Sequence, residues 1–144
     1  MKIIVSGSVG TGKTTLAKKL AKKFNSKYLN IAEFVKKNKL GKYSKKYDSY
    51  EVDIKKLNNK LIEIIKKNKN IVIDGHLAHF LPKKYVDLCI VCKCDIKELK
   101  KRLKKRKYSD KKIHENMDVE IFDTILTEAK EKKYKTLIID TTRL

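Results

Sequence analysis

A chain of 144 residues holds one domain around one core, and with 41% hydrophobic and 38% charged residues it is neither a disordered polyelectrolyte nor a membrane protein. The formal net charge of +20 comes from 37 Lys and Arg against 17 Asp and Glu. Thermophilic enrichment raises Glu along with Lys, so this imbalance points to polyanionic partners such as RNA as well as to a lysine-rich solvated surface.

Met1 runs directly into an apolar stretch, so no signal peptide and a cytoplasmic location are expected. Residues 2–6, Lys-Ile-Ile-Val-Ser, are rich in β-branched side chains and read as a buried strand. Gly7-Ser8-Val9-Gly10-Thr11-Gly12-Lys13-Thr14 then fits G-x-x-x-x-G-K-[ST], the spacing of a phosphate-binding loop. Leu16, Leu20 and Phe24 fall on one face of a helix that follows. Strand, glycine-rich turn and helix in that order aim backbone N–H groups and the positive end of a helix dipole at an anion. Gly10 and Gly12 permit the turn, Lys13 is placed to reach the β- and γ-phosphates of ATP, the Thr14 hydroxyl to ligate Mg²⁺, and Thr15 to support the α-phosphate.

Residues 27–30 read as a short second strand, and Ile31, Phe34 and Val35 mark a short helix. The stretch from Asn38 to Tyr50, with Gly41, Tyr43, Ser44 and Tyr47 among lysines, reads as a mobile loop facing a ligand or partner. Leu57, Leu61, Ile64 and Ile65 mark a longer helix. A third strand, residues 71–74, ends on Asp74; an acid at the carboxyl end of a strand beside a phosphate loop can hold Mg²⁺ directly or through water. His76 projects to the same side as Asp74 if the chain stays extended. There it either orients water or a phosphate oxygen, or hydrogen-bonds the backbone in the turn that Gly75 permits. His79 carries no comparable argument.

The fourth strand, from Leu88 to Cys92, holds the start of a C-x-x-C-x-C run. Alternation puts Cys92 and Cys94 on one face and Cys89 on the other, so buried free thiols are expected rather than a zinc site. Asp95-x-x-Glu98 forms a capping box for a helix carrying Leu99 and Leu103. Arg102 and Arg106, two of only three arginines, are spaced i, i+4; both are expected to leave one solvent-directed face and present fixed charge to a phosphoryl group in transfer. Ile113, Met117, Ile121, Ile125 and Ala129, four apart, mark one last helix before a fifth strand at residues 136–140. Strands alternating with helices imply an α/β fold, a parallel sheet covered on both faces.

Four segments carry a resemblance: Gly7-x-x-x-x-Gly12-Lys13-Thr14-Thr15; Lys27-Tyr28-Leu29-Asn30; Val72-Ile73-Asp74-x-His76 with Phe80 and Pro82; and Arg102-Leu103-x-x-Arg106-x-Tyr108, continuing through Lys111-Lys112 and Asn116 to Glu120-Ile121-Phe122 and Glu128-Ala129. Together they resemble the small adenylate kinase/ATPase family of small-ribosomal-subunit maturation, whose eukaryotic members are nuclear, and within it the archaeal branch. The resemblance implies a P-loop nucleoside monophosphate kinase fold in a single domain over residues 1–144, its five parallel strands ordered 2-3-1-4-5. It implies a broad-specificity nucleoside monophosphate kinase, ATP and AMP giving two ADP, with ATPase activity. Gly10, Gly12, Lys13, Thr14, Thr15 and Arg106 would bind ATP, a short lid would span about 105–115, and a monophosphate-binding part about 30–53. Asp74 and His76 would be the pair on which ATP hydrolysis depends.

By the same resemblance the partners are a nucleoside monophosphate, a platform protein of the small ribosomal subunit bound transiently, and rRNA. An assembly factor gated by nucleotide, with little transfer activity, is the alternative. The chain departs from its resemblance at several points. Lys36 stands where eukaryotic members carry an arginine, exchanging a planar fork for a point charge. Lys107 replaces a glycine at the lid hinge, Lys45 and Lys46 replace acidic residues, and the sequence reaches Leu144 without the family's usual final helix.

Overall fold

The computed structural model describes residues 1–46 and 49–144. In chain order the elements are β1 (Lys2–Gly7), α1 (Lys13–Lys23), β2 (Lys27–Asn30), α2 (Ile31–Lys37), β3 (Gly41–Ser44), β4 (Ser49–Val52) and α3 (Ile54–Lys67). Then follow β5 (Ile71–Asp74), β6 (Leu88–Lys93), α4 (Ile96–Lys105), α5 (Asp110–Ile121), α6 (Thr124–Glu131) and β7 (Thr136–Asp140). The main sheet is parallel with order β2-β5-β1-β6-β7. This is the expected order 2-3-1-4-5, renumbered because a hairpin supplies β3 and β4.

Both faces of the central strands β1, β5 and β6 are buried, which is why they read as continuous apolar runs. Ile4, Ile73, Cys89 and Val91 pack on one side with Leu57, Leu61 and Ile65 of α3 and Ala129 of α6. Val5, Val72, Ile90 and Cys92 pack on the other against Leu16, Ala17 and Ala21 of α1. A smaller cluster of Cys94, Leu99, Leu103 and Ile113 joins α4 to α5. The three cysteines are buried free thiols, and burial pushes Cys89 and Cys92 up to about 12. Among the described residues no helix is long and apolar enough to cross a membrane.

Three sequence expectations need correction. The stretch expected as a mobile loop contains an antiparallel hairpin that pairs Gly41 with Val52 and Tyr43 with Tyr50. Gly-Lys-Tyr-Ser and Ser-Tyr-Glu-Val each alternate at period two, but the surrounding lysines hid that weak pattern. Tyr47, part of the same expectation, lies outside the described residues, as does the side chain of Tyr50.

The last helix, expected as one, is two. Asp123 sits in the left-handed region at φ 51° and breaks the path between α5 and α6. Ile121 is then 52% exposed and Phe122 73%, while Glu120 takes the inward position at 5%. A charged side chain goes inside because partners wait for it there, as the site shows. The capping box at α4 forms on its Asp95 side, which accepts from the N–H groups of Lys97 and Glu98 at 3.1 and 3.3 Å. Glu98 instead turns its carboxylate to Arg102.

Candidate active site

The phosphate-binding loop leaves β1 and enters α1 with Gly10 and Gly12 both at φ 89°, a conformation that L side chains rarely adopt. Gly12 is the N-cap of α1, and the first turn carries neither a side-chain cap nor an acidic residue. Its N–H groups and positive dipole end are therefore left for an anion. Lys13 turns back over the loop and donates to the Ser8 carbonyl at 3.0 Å. Burial lowers its pKa to about 8, against the pull of the Asp74 carboxylate. The loop is braced from within by Thr11 Oγ1 on the Ser8 carbonyl at 2.7 Å, and from outside by Ser8 Oγ on Glu120 Oε1 at 2.9 Å.

Asp74 is placed by strand register. β5 lies between β1 and β2, and Asp74 is level with Val5 on one side and Asn30 on the other. The residue is 1% exposed, and both carboxylate oxygens accept hydrogen bonds. Oδ1 accepts from the Thr14 hydroxyl at 3.1 Å; Oδ2 accepts from the Asn30 amide at 3.2 Å and from the Tyr28 hydroxyl. Burial, then the hydrogen bond to Asp74, pushes the Tyr28 phenol up to about 12, so it stays a donor. The Thr14 hydroxyl and Asp74 carboxylate make a pair of hard oxygen donors. That pair fits Mg²⁺, which commonly takes one or two protein oxygens and fills its remaining positions with water and phosphate.

His76 lines the same cleft as Asp74 and Lys13 and keeps part of its surface exposed to solvent. The cleft walls first, then the charges of Lys13 and His79, lower its pKa to about 4, so it is neutral at pH 7. Arg106, the C-cap residue of α4, also lines the cleft. Arg102 does not share that fate, and the expectation of a solvent-directed pair is corrected. Its guanidinium turns onto backbone, donating to the carbonyls of Thr141 at 2.8 Å, Thr142 at 2.9 Å and Gly10 at 3.3 Å, while Nε meets Glu98 at 3.3 Å. Three carbonyls and the Glu98 carboxylate gathered at one spot satisfy the donors of a planar fork. Arg102 thus clamps the segment after β7 to the phosphate loop.

The cleft these residues line measures about 910 Å³. Lys13, Thr14, Thr15, Asp74, His76 and Arg106 come together in it, with Lys36 and Tyr43 from the α2 and hairpin side. Tyr28, Asn30 and Glu120 lie in the segments that carry the family resemblance, but sequence reasoning gave none of them an individual role, and it gave none to His79. Glu120 is held by Ser8, by the Cys94 N–H at 2.7 Å and by Lys93 at 2.9 Å. Burial pulls Lys93 down, but the hydrogen bonds with Asp123 and Glu120 outweigh it and hold its ammonium above the ordinary range. His79, 2% exposed, bridges Ser6 Oγ at 3.0 Å and Glu128 Oε2 at 2.7 Å, tying β1 to α6. Those segments and an acid at a helix's apolar boundary, as at Glu120, are the available hints, because the partners lie far off in sequence.

A family model described as an AAA domain matches residues 3–123. A protein of Methanocaldococcus jannaschii provisionally named adenylate kinase is 43% identical, covering 99% of this chain and 77% of its own length. One named in the same way from Pyrococcus furiosus is 41% identical over 99% and 76%. A Caenorhabditis elegans protein named adenylate kinase isoenzyme 6 homolog is 33% identical over 94% and 76%. Among solved structures, shikimate kinase from Acinetobacter baumannii superposes with a TM-score of 0.65 at 16% identity, covering 94% of this chain and 82% of that one. Shikimate kinase from Bacteroides thetaiotaomicron gives 0.57 at 16% identity over 98% and 86%. These two are likenesses of fold alone.

Proposed function

The chain belongs to the adenylate kinase-like family of nucleotide kinases, and we propose that it moves the γ-phosphoryl group of ATP to a nucleoside monophosphate, AMP giving two ADP, and hydrolyses ATP as a side reaction. The observation that supports this most directly is the convergence of Lys13, Thr14, Asp74 and Arg106 on one cleft large enough for two nucleotides to meet. Broad acceptance of monophosphates is supported by the side chains of Ile31, Val35 and Val52 on the cleft wall, which offer apolar contact to any base.

In this reading the whole of residues 1–144 is one kinase domain acting in the cytoplasm. The monophosphate-binding part is residues 30–53, which include α2 and the hairpin, and the lid is residues 105–115. The N–H groups of Gly10, Gly12 and the first turn of α1 cradle the phosphates of ATP, with Thr15 on the α-phosphate. Lys13 leaves the Ser8 carbonyl for the β- and γ-oxygens, whose negative charge restores its full protonation. Arg106 adds a second fixed charge from the start of the lid, and Arg102 acts as a positioning residue through the carbonyls of Gly10 and Thr141. Thr14 and Asp74 would hold Mg²⁺, which when bound neutralises charge shared by the β- and γ-phosphates. His76, neutral and lining the same cleft as Asp74, orients the attacking water when water replaces the monophosphate. Transfer then needs positioning and charge, with no covalent enzyme intermediate.

Purified protein given Mg·ATP with and without AMP, beside Lys13→Ala, tests this. ADP formation that requires AMP and is lost in the variant is the expected result. Phosphate release indifferent to AMP would replace the kinase by an ATPase. A second reading is favoured by the net charge of +20: action in late maturation of the small ribosomal subunit, with nucleotide gating contact with rRNA and a platform ribosomal protein. Affinity for small-subunit rRNA that differs between the ATP and ADP states supports it, and equal affinity counts against it.

A further inference from the structure

We propose that Tyr28 and Asn30 are positioning residues for the divalent cation, fixing the Asp74 carboxylate so that its Oδ1 side is turned to the metal; this rests on the kinase reading above. The geometry begins with β2. Period two puts Tyr28 and Asn30 on one face of that strand, and the parallel register sets Asn30 level with Asp74 and Tyr28 level with Val72. Both polar groups therefore reach the same carboxylate oxygen. The Asn30 amide donates to Oδ2 at 3.2 Å and lies 3.4 Å from the Tyr28 hydroxyl, which also donates to Oδ2.

A carboxylate torsion is broad and nearly two-fold, so an unrestrained Asp74 would present either oxygen. Two donors on Oδ2 break that symmetry and leave Oδ1 with the Thr14 hydroxyl at 3.1 Å. Thr14 donates its single proton to Oδ1 and accepts from the Asn30 amide at 3.4 Å, which leaves one lone pair for a cation. Hydrogen bonds to an ionised acceptor are about twice as strong as neutral ones, enough to fix the orientation before nucleotide arrives. Asn30 does a second job with its other atom. Its Oδ1 caps α2 by accepting from the Glu33 N–H at 3.0 Å. One side chain thus links the start of the segment assigned to the monophosphate with the carboxylate assigned to the metal.

The test reads metal affinity apart from turnover. Mn²⁺ binding to the protein·ADP complex is measured by electron paramagnetic resonance, and ADP binding in EDTA by calorimetry. The variants are Tyr28→Phe, which removes only the hydroxyl, and Asn30→Ser, which keeps a capping oxygen but is too short to reach Asp74. Each is expected to weaken Mn²⁺ by about tenfold or more while metal-free ADP affinity stays within about twofold. Mn²⁺ affinity within about twofold of the parent in both variants overturns the proposal. So does equal weakening of ADP with and without metal, which would mark a merely structural staple of β2. A parent protein that binds no Mn²⁺·ADP would overturn the kinase reading itself, so the two failures are distinguishable.

Discussion

His76 and Lys13 show how the cleft sets protonation before any ligand is considered. Lys13 loses hydration inside the loop and falls to about 8, although Asp74 attracts its charge. A phosphate group at the same place adds counter-charge, so binding the anion raises the Lys13 pKa again and secures its ammonium. His76 falls to about 4 from an unfolded value of about 6.5, by the cleft walls first and then by Lys13 and His79. Between those values the unfolded chain binds the proton and the folded one does not. The stability that neutral His76 contributes is therefore complete above about pH 6.5 and lost as pH falls toward 4. His76→Gln should make urea midpoints less sensitive to acid between pH 7 and pH 4.5. An unchanged acid limb would show that His76 titrates as it does in the unfolded chain.

α5 is bounded by two left-handed residues, Lys107 at φ 58° and Asp123 at φ 51°. A lysine in that region is strained where a glycine would not be. Glu120 anchors the far end of α5, and one carboxylate there serves the phosphate loop through Ser8, the end of β6 through Cys94, and Lys93. Glu120→Gln keeps the shape but turns one acceptor into a donor inside this set. The expected loss is about 2–3 kcal/mol in urea unfolding, together with weaker ATP binding because Ser8 loses its brace. A variant as stable as the parent would mean that Lys93 and Asp123 hold the junction without it.

Over the whole molecule, 37 basic side chains face 17 acidic ones, and the compact state repels itself. Raising NaCl from about 20 mM to about 500 mM shortens the Debye length from about 20 Å to about 4 Å and should raise Tm by several degrees. A flat or falling Tm would show that local ion pairs such as Lys93 with Glu120 and Asp123 outweigh the summed field. β7, at the edge of the main sheet, keeps Leu137 48% and Ile138 50% exposed, so the apolar coverage that α1 and α3 give the central strands thins toward this edge.

The sequence by itself determined the strand, loop and helix that carry Lys13 and Thr14, the parallel α/β class, and Asp74 at a strand end. Each of these rests on local periodicity, on chirality at glycine, or on a helix dipole, and all three act within a dozen residues. Tertiary structure alone decided what faces what. Arg102 and Arg106 share a spacing, yet one clamps carbonyls across the molecule while the other lines the cleft. Glu120 displaced Ile121 from the interior because Ser8 and Cys94, remote in sequence, needed an acceptor there. Tyr28 and Asn30 became parts of the site only through the register of β2 on β5. Hydrogen-bond satisfaction between distant segments is a property of the packed molecule, and no local pattern records it.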